Sequence, residues 1–316
     1  MSGADRAQCY AEIAPLLSTP LALQWTTHLL DAADIENPRF EAQLLLALTL
    51  GVSRTTIVAG LRPELSTAEF RAMERLVRER ERHVPLAYLR GTQEFYGLTF
   101  AVTPATLIPR PETELLVEFV LEKCREYGIH EGARRDTKKN HEEEGFVAPV
   151  FVDVGTGSGC IPIAVLAHCP EARAFAIDLS AEALEVAGRN AQAHGVTDRL
   201  RLIQGDLLTG VSGNLDIIVS NPPYIPTGEV AGLQPEVRDF EPRLALDGGA
   251  DGLTLLRGLA READRVLKPG GWLAVEVALG QADAVKELFA AYGLTDIAAR
   301  RDLAGIERIV YGRKRK

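Results

Sequence analysis

Val150-Phe151-Val152-Asp153-Val154-Gly155-Thr156-Gly157-Ser158-Gly159 is a short, apolar, β-branched run that breaks into glycines at every second position. Such a run reads as a buried strand. The glycines allow a tight turn and a close approach of backbone to a ligand. Beyond the turn, strand and helix alternate. Helix is expected over 161–167, strand over 172–177, helix over 181–194, and strands over 200–203 and 215–219. A helix over 252–267, a strand over 272–277, a helix over 282–292 and two strands over 294–299 and 307–311 complete the series. This pattern gives an α/β fold: a Rossmann-like, seven-stranded, largely parallel sheet with helices on both faces. No helix separates the last two strands, so one of them is expected to run antiparallel.

Open sheets of this kind bind ligands at the carboxyl ends of their strands. Here those ends carry acids. Asp153 precedes the glycine turn, Asp178 with Leu179 ends the second strand, and Asp206 with Leu207 follows the third. A carboxylate at Asp178 can accept both hydroxyls of a ribose. One at Asp206 can receive an adenine amino group, with Leu207 against the ring, and Asp153 can lie near a ligand's amino group. The turn formed by Gly155, Thr156, Gly157, Ser158 and Gly159 would alone suit a dinucleotide pyrophosphate. Its spacing is not G-x-G-x-x-G, however, and no Lys-Ser/Thr pair follows it. A ribose acid and an adenine acid without a phosphate cradle fit S-adenosylmethionine, with S-adenosylhomocysteine as product.

The fourth strand, Leu215-Asp216-Ile217-Ile218-Val219-Ser220, runs into Asn221-Pro222-Pro223-Tyr224. Neither proline can donate to a ladder, and Pro222 biases Asn221 towards extended geometry. The resulting elbow presents the Asn221 amide oxygen, the Pro222 backbone carbonyl and the Tyr224 ring, with Pro223 fixing the turn. Two acceptors and an aromatic face suit a flat –NH2 group. Asn221, Pro222, Pro223 and Tyr224 are therefore candidate substrate-binding residues. Asn221, Pro222 and Tyr224 are the candidate catalytic ones, and Asn221 also borders the cofactor.

Among 316 residues, 44 acids outweigh 35 bases, for a net charge of −9. That balance argues against affinity resting on nucleic-acid phosphates. The basic tail Arg313-Lys314-Arg315-Lys316 is expected to be a solvated terminus. Cys9, Cys124, Cys160 and Cys169 show no C-x-x-C spacing, so neither a zinc site nor a disulfide framework is expected. Cys160 and Cys169 read as core residues. A reducing, cytoplasmic setting is the expectation. No apolar run is long enough to span a membrane, and no signal peptide is evident.

Residues 1–90 carry helical periodicity. A leucine-rich helix opens at Pro38 and ends at Gly51, and Ser66 and Glu69 form a capping-box pattern. A small helical domain is expected over 1–90, a hairpin linker over 91–110 and the α/β domain over 111–316. The polar stretch 128–148 reads as a flexible surface insertion, with His130 and His141 solvated.

Several segments together carry a family resemblance. They are Leu107-Ile108-Pro109-Arg110-Pro111-Glu112-Thr113-Glu114, the turn from Asp153 to Gly159, the elbow, the segment 237–249 and Leu267-Lys268-Pro269-Gly270-Gly271. The chain resembles the HemK/PrmC family, the glutamine-N5 methyltransferases of peptide chain release factors. The resemblance implies a class I methyltransferase fold for the α/β domain and a substrate-recognition role for the helical one. It implies methyl transfer to the amide nitrogen of the glutamine in a Gly-Gly-Gln loop, with release factors as partners. No direct nucleic-acid requirement and a monomeric state are expected. Asn221 Oδ1 and the Pro222 carbonyl would accept the amide's two protons, and no titrating base is assigned at the elbow. Arg238, Glu241 and Arg243 either shape the peptide entrance or form internal ion pairs. Three other readings stand beside this one: a ribosomal-protein glutamine methyltransferase, an adenine-N6 methyltransferase on DNA or RNA, and a binding module without chemistry.

Overall fold

The computed structural model describes residues 18–134 and 149–316. The described residues divide into two compact units, one running to 91 with 235–240, the other from 92 to 234 with 241–316.

The first unit is helical. Helix α1 (Thr19–Ala32) opens on Ser18, whose hydroxyl accepts from the Leu21 amide. Helix α2 (Pro38–Leu50) ends at Gly51 in the left-handed region, where the sequence places its stop. Helices α3 (Arg54–Val58), α4 (Thr67–Glu81) and α5 (Leu86–Arg90) follow. The capping box of α4 forms in full: Ser66 Oγ accepts from the Glu69 amide, and Glu69 Oε2 accepts from the Ser66 amide at 2.7 Å. Leu30, Leu45, Leu46, Phe70, Met73 and Val77 form the core. Arg80 is buried beside them, with Glu41 and Glu236 as ion-pair partners. A buried guanidinium persists only with such partners. The second pair fastens the helical turn Pro235–Arg238 within this unit. The continuous blocks 1–90 and 111–316 expected from the sequence do not anticipate that returning segment.

The second unit begins with a hairpin of β1 (Thr92–Phe95) and β2 (Leu98–Ala101). Its turn residues Tyr96 and Gly97 have φ of 50° and 72°, the sense that matches strand twist. Helix α6 (Glu114–Arg134) leads to β3 (Val150–Val154), α7 (Cys160–His168), β4 (Arg173–Asp178), α8 (Ala181–Ala193), β5 (Leu200–Gln204) and β6 (Leu215–Ser220). Then come α9 (Thr254–Val266), β7 (Leu267–Glu276), α10 (Ala282–Ala291), β8 (Thr295–Arg301) and β9 (Glu307–Arg313). The sheet order is β5-β4-β3-β6-β7-β9-β8, and β9 runs antiparallel to both of its neighbours. Alternate residues feed two cores. Phe151, Ile217 and Val219 face one with α6 and α7, while Val152, Val154 and Ile218 face the other with α9. Asn190, on α8, bonds both the amide and the carbonyl of Ala101 and so bolts the hairpin to the sheet unit.

Four expectations need correction. Helix α6 continues through 128–134, which the sequence reads as loop, because extending a formed helix gains a hydrogen bond per residue. The rest of that insertion, 135–148, lies outside the described residues, as does Cys9. Strand β7 starts at Leu267, not at 272: a register shift between Leu215 and Ile217 absorbs the turn-like Lys268-Pro269-Gly270-Gly271. Cys124 and Cys160 are buried, but Cys169 is only half-buried, just past the end of α7. The basic tail is partly bonded: Arg313 Nε donates to Gly270 O at 2.9 Å and Lys314 Nζ to Leu267 O at 3.0 Å. Among the described residues no helix is long and apolar enough to cross a membrane.

Candidate active site

A cavity of about 840 Å³ opens in the second unit at the carboxyl ends of β3, β4, β5 and β6. This is where strand order reverses, the position at which open α/β sheets bind ligands. Gly155, Gly157, Asp178, Leu179, Asp206, Leu207, Asn221 and Pro223 line it. Asp153, Thr156, Ser158, Gly159, Pro222 and Tyr224 do not form its wall.

The glycine turn is held from within. The amides of Gly155 and Thr156 both donate to Ile177 O, at 2.9 and 3.0 Å. Gly157 N donates to Asp178 Oδ2 at 2.8 Å, and Gly159 N to Thr156 O at 2.9 Å. A phosphate cradle needs such amides free, so this turn does not suit a pyrophosphate. Gly159 serves packing: a Cβ there would lie 2.9 Å from Ile163 Cδ1 and 3.1 Å from Ala187 Cβ. The other oxygen of Asp178 accepts from Ser180 N at 2.9 Å. Each oxygen keeps a lone pair, and the carboxylate borders the cavity. Asp206 is exposed at the same wall.

Beneath the turn lies a different kind of acid. Asp153 is fully buried, and neither carboxylate oxygen has a hydrogen-bond partner. The hydroxyls of Thr156 and Ser158 are likewise buried and unbonded. Burial pushes the Asp153 carboxyl up to about 7, against the opposing influence of nearby Thr156 and with added repulsion from Asp178. The two wall carboxylates, Asp178 and Asp206, fit a nucleoside ligand, while Asp153 stays buried behind the wall.

The elbow is clasped on all sides. Ser220 Oγ donates to Val154 O at 2.7 Å, tying the end of β6 to that of β3. Gln281 Nε2 donates to Tyr224 O at 2.9 Å. Gly252 packs so closely that a Cβ there would lie 2.2 Å from Tyr224 O. Asn221 Nδ2 donates to Thr113 Oγ1 at 3.0 Å, and Thr113 Oγ1 donates to Glu276 Oε2 at 2.7 Å. The Tyr224 hydroxyl reaches Glu276 Oε1 at 3.4 Å. Tyr224 therefore points its hydroxyl at a buried acid. Its phenol is pushed up by burial and then by the charge of Glu276. Glu276 is itself pushed up to about 7, chiefly by burial and further by Glu112; Thr113, Tyr224 and Arg308 oppose that shift.

Thr113 and Glu276 were not read as site residues. Glu276 carried the signal that exposed the other acids, a charge at the carboxyl end of an apolar strand (Trp272-Leu273-Ala274-Val275-Glu276). Thr113 carried only its place in the segment 107–114 that bears the resemblance. The three loop residues left open now separate. Glu241 is buried and accepts from Arg110 Nη2 and, at 3.4 Å, from Ile108 N. Arg238 pairs with Asp239. Arg243 borders the cavity and pairs with Asp247.

A sheet of this order with an acid-rimmed cavity at its switch point belongs to the Rossmann-like methyltransferases. Residues 141–233 match the methyltransferase small domain, and 22–91 match the PrmC N-terminal domain. The hMettl16 catalytic domain in complex with the MAT2A 3'UTR hairpin 6 shares the fold, with a TM-score of 0.52 at 14% identity over 69% of this chain and 76% of that one. The release factor glutamine methyltransferase of Geobacter sulfurreducens is 40% identical over 92% of this chain and 95% of its own length. That of Caulobacter vibrioides is 40% identical over 94% and 98%. The chain belongs to the release factor glutamine methyltransferase family.

Proposed function

We propose that this chain methylates the side-chain amide nitrogen (N5) of the glutamine in the Gly-Gly-Gln motif of peptide chain release factors. Family membership supports the reaction and the substrate class. The observation that carries the reading is the state of Asn221. Its side chain borders the cavity with its –NH2 already bonded to Thr113, which leaves Oδ1 as the acceptor for a substrate amide.

S-adenosylmethionine supplies an electrophilic methyl group. Asp178 would hold its ribose and Asp206 its adenine, with Leu207 against the ring. The glutamine nitrogen is a poor nucleophile because its lone pair is delocalised into the carbonyl. Asn221 Oδ1, and the Pro222 carbonyl behind the wall residues Asn221 and Pro223, would accept its two protons, hold the nitrogen in place and favour positive charge developing on it. Orientation of this kind supplies up to about 7–11 kcal/mol in favourable intramolecular cases. The helical unit carries none of the cavity's wall residues and would add binding energy that positions a macromolecular substrate.

The test is a labelled-methyl assay with release factor, ribosomal protein and DNA offered in parallel. Label in the release factor glutamine is expected. Label confined to the ribosomal protein or to DNA would replace this reading with the corresponding alternative.

A further inference from the structure

We propose that Glu276, acting through Thr113, is a positioning residue that sets which way the Asn221 amide faces. The proposal rests on the methyl-transfer reading above. An asparagine amide has nearly the same shape after a 180° flip, yet the flip exchanges an acceptor for a donor. A donor aimed at the substrate –NH2 would oppose binding where an acceptor supports it. Prolines on one side and Ser220 on the other fix the backbone, but they do not choose between the two faces of the amide.

The hydrogen-bond chain chooses. An ionised Glu276 only accepts. The single proton of Thr113 is therefore committed to Oε2 at 2.7 Å. The Thr113 oxygen can then only accept, and the group that meets it at 3.0 Å is Asn221 Nδ2. Polarity passes from the end of β7, through the turn before α6, to the elbow after β6, and Asn221 Oδ1 is left for the substrate. The second Glu276 oxygen takes the Tyr224 hydroxyl, so one acid orders both side chains of the elbow. The surroundings of Glu276 contain Glu112 beside Thr113, Tyr224 on the elbow, Arg308 on β9 and the Cys160 thiol at the start of α7. Protonated, Glu276 gains an O–H that donates, and the direction of the chain is no longer imposed. Burial pushes its carboxyl up to about 7, so turnover should climb with pH through that region.

Thr113→Val keeps the shape of the side chain and removes its hydroxyl; Thr113→Ser keeps the hydroxyl. Losing the outer partner that orients a metal ligand costs about 10–100-fold, and a comparable factor is expected for the partner that orients Asn221. A fall in kcat of that size is expected for Thr113→Val, with S-adenosylmethionine affinity within about twofold and recovery in Thr113→Ser. The acid limb of the kcat profile should vanish in Thr113→Val and in Glu276→Gln. Wild-type kcat in Thr113→Val beside an inactive Asn221→Ala would overturn the positioning role and leave the methyl-transfer reading intact. A loss in Thr113→Val that Thr113→Ser does not recover, accompanied by a lower melting temperature, would also overturn it. An active Asn221→Ala would overturn the methyl-transfer reading itself.

Discussion

Asp153 and Glu276 stand at the ends of strands on either side of β6, and both are buried acids pushed up to about 7. Glu276 is hydrogen-bonded to two hydroxyls, whereas Asp153 lies buried with no hydrogen bond of good geometry and only the Thr156 hydroxyl near it. Burial alone therefore does not define what an acid does. A satisfied carboxylate in a low-dielectric interior fixes the polarity of its neighbours. An unsatisfied one carries an uncompensated desolvation cost, which a ligand's cationic group would relieve. On the proposed reading one acid orders the elbow, while the other stays buried without a hydrogen bond.

The largest expected effect would break this contrast if it failed to appear. A buried acid with a raised pKa favours the folded chain at low pH and costs stability as pH rises from its ordinary 3.8 to about 7. Above that window, ionised Asp153 costs about 4 kcal/mol. Asp153→Asn removes the titration. In denaturant unfolding between pH 4 and 8, the variant should gain on the wild type by about that amount as pH rises. Parallel curves would mean that Asp153 has a partner in solution, and the contrast with Glu276 would disappear.

The next effect tests the group that Glu276 serves. Asn221→Ala should lower kcat by about 10²–10³, the usual loss when one oriented partner of a developing charge is removed. Cofactor affinity should stay close to that of the wild type. Turnover within a few-fold of the wild type, measured separately from the cofactor Kd, would take the elbow out of the mechanism.

Asp178 lies between the two extremes, because its oxygens are half used by Gly157 N and Ser180 N. Hydrogen bonds to a charged group contribute about 1.5–3 kcal/mol each. Asp178→Ala should weaken S-adenosylmethionine binding by at least one such bond in a calorimetric titration. An unchanged Kd would make Asp178 a strut of the glycine turn and nothing more.

What the sequence carried and what it did not divide along the same line. Strand–helix alternation, the antiparallel end of the sheet, the Gly51 stop and the Ser66 capping box are local signals of propensity and period, and the structure contains each of them. The wall residues were legible because strand ends in an open sheet converge on one edge. Thr113 and Glu276 stand 163 residues apart, and no periodicity joins them. Asn190 reads as an ordinary helix residue until its bonds to Ala101, 89 positions away, are seen. The return of 235–240 to the helical unit depends on a buried arginine that composition does not distinguish from a solvated one. Polar groups whose partners are remote in sequence leave no pattern.

The smallest effect carries the comparison to the surface of the helical unit. Glu69 is an acid of the opposite kind, held below its ordinary 4.5 chiefly by the Ser66 backbone amide, then by the Ser66 side chain. A depressed carboxyl contributes stability above its ordinary pKa, and that contribution fades as pH falls through the lowered value. Ser66→Ala removes one half of the capping box and should cost about 1 kcal/mol at neutral pH. Amides in the first turn of α4 should then exchange their hydrogens about fivefold faster at pH 7, with a smaller ratio near pH 4. Glu69 has a second partner, Arg62, at 2.6 Å. Exposed pairs of this kind contribute less than about 1 kcal/mol, so the cap should dominate. If exchange is unchanged in Ser66→Ala, the ion pair holds the helix start, and the distinction between satisfied and unsatisfied acids belongs to the interior alone.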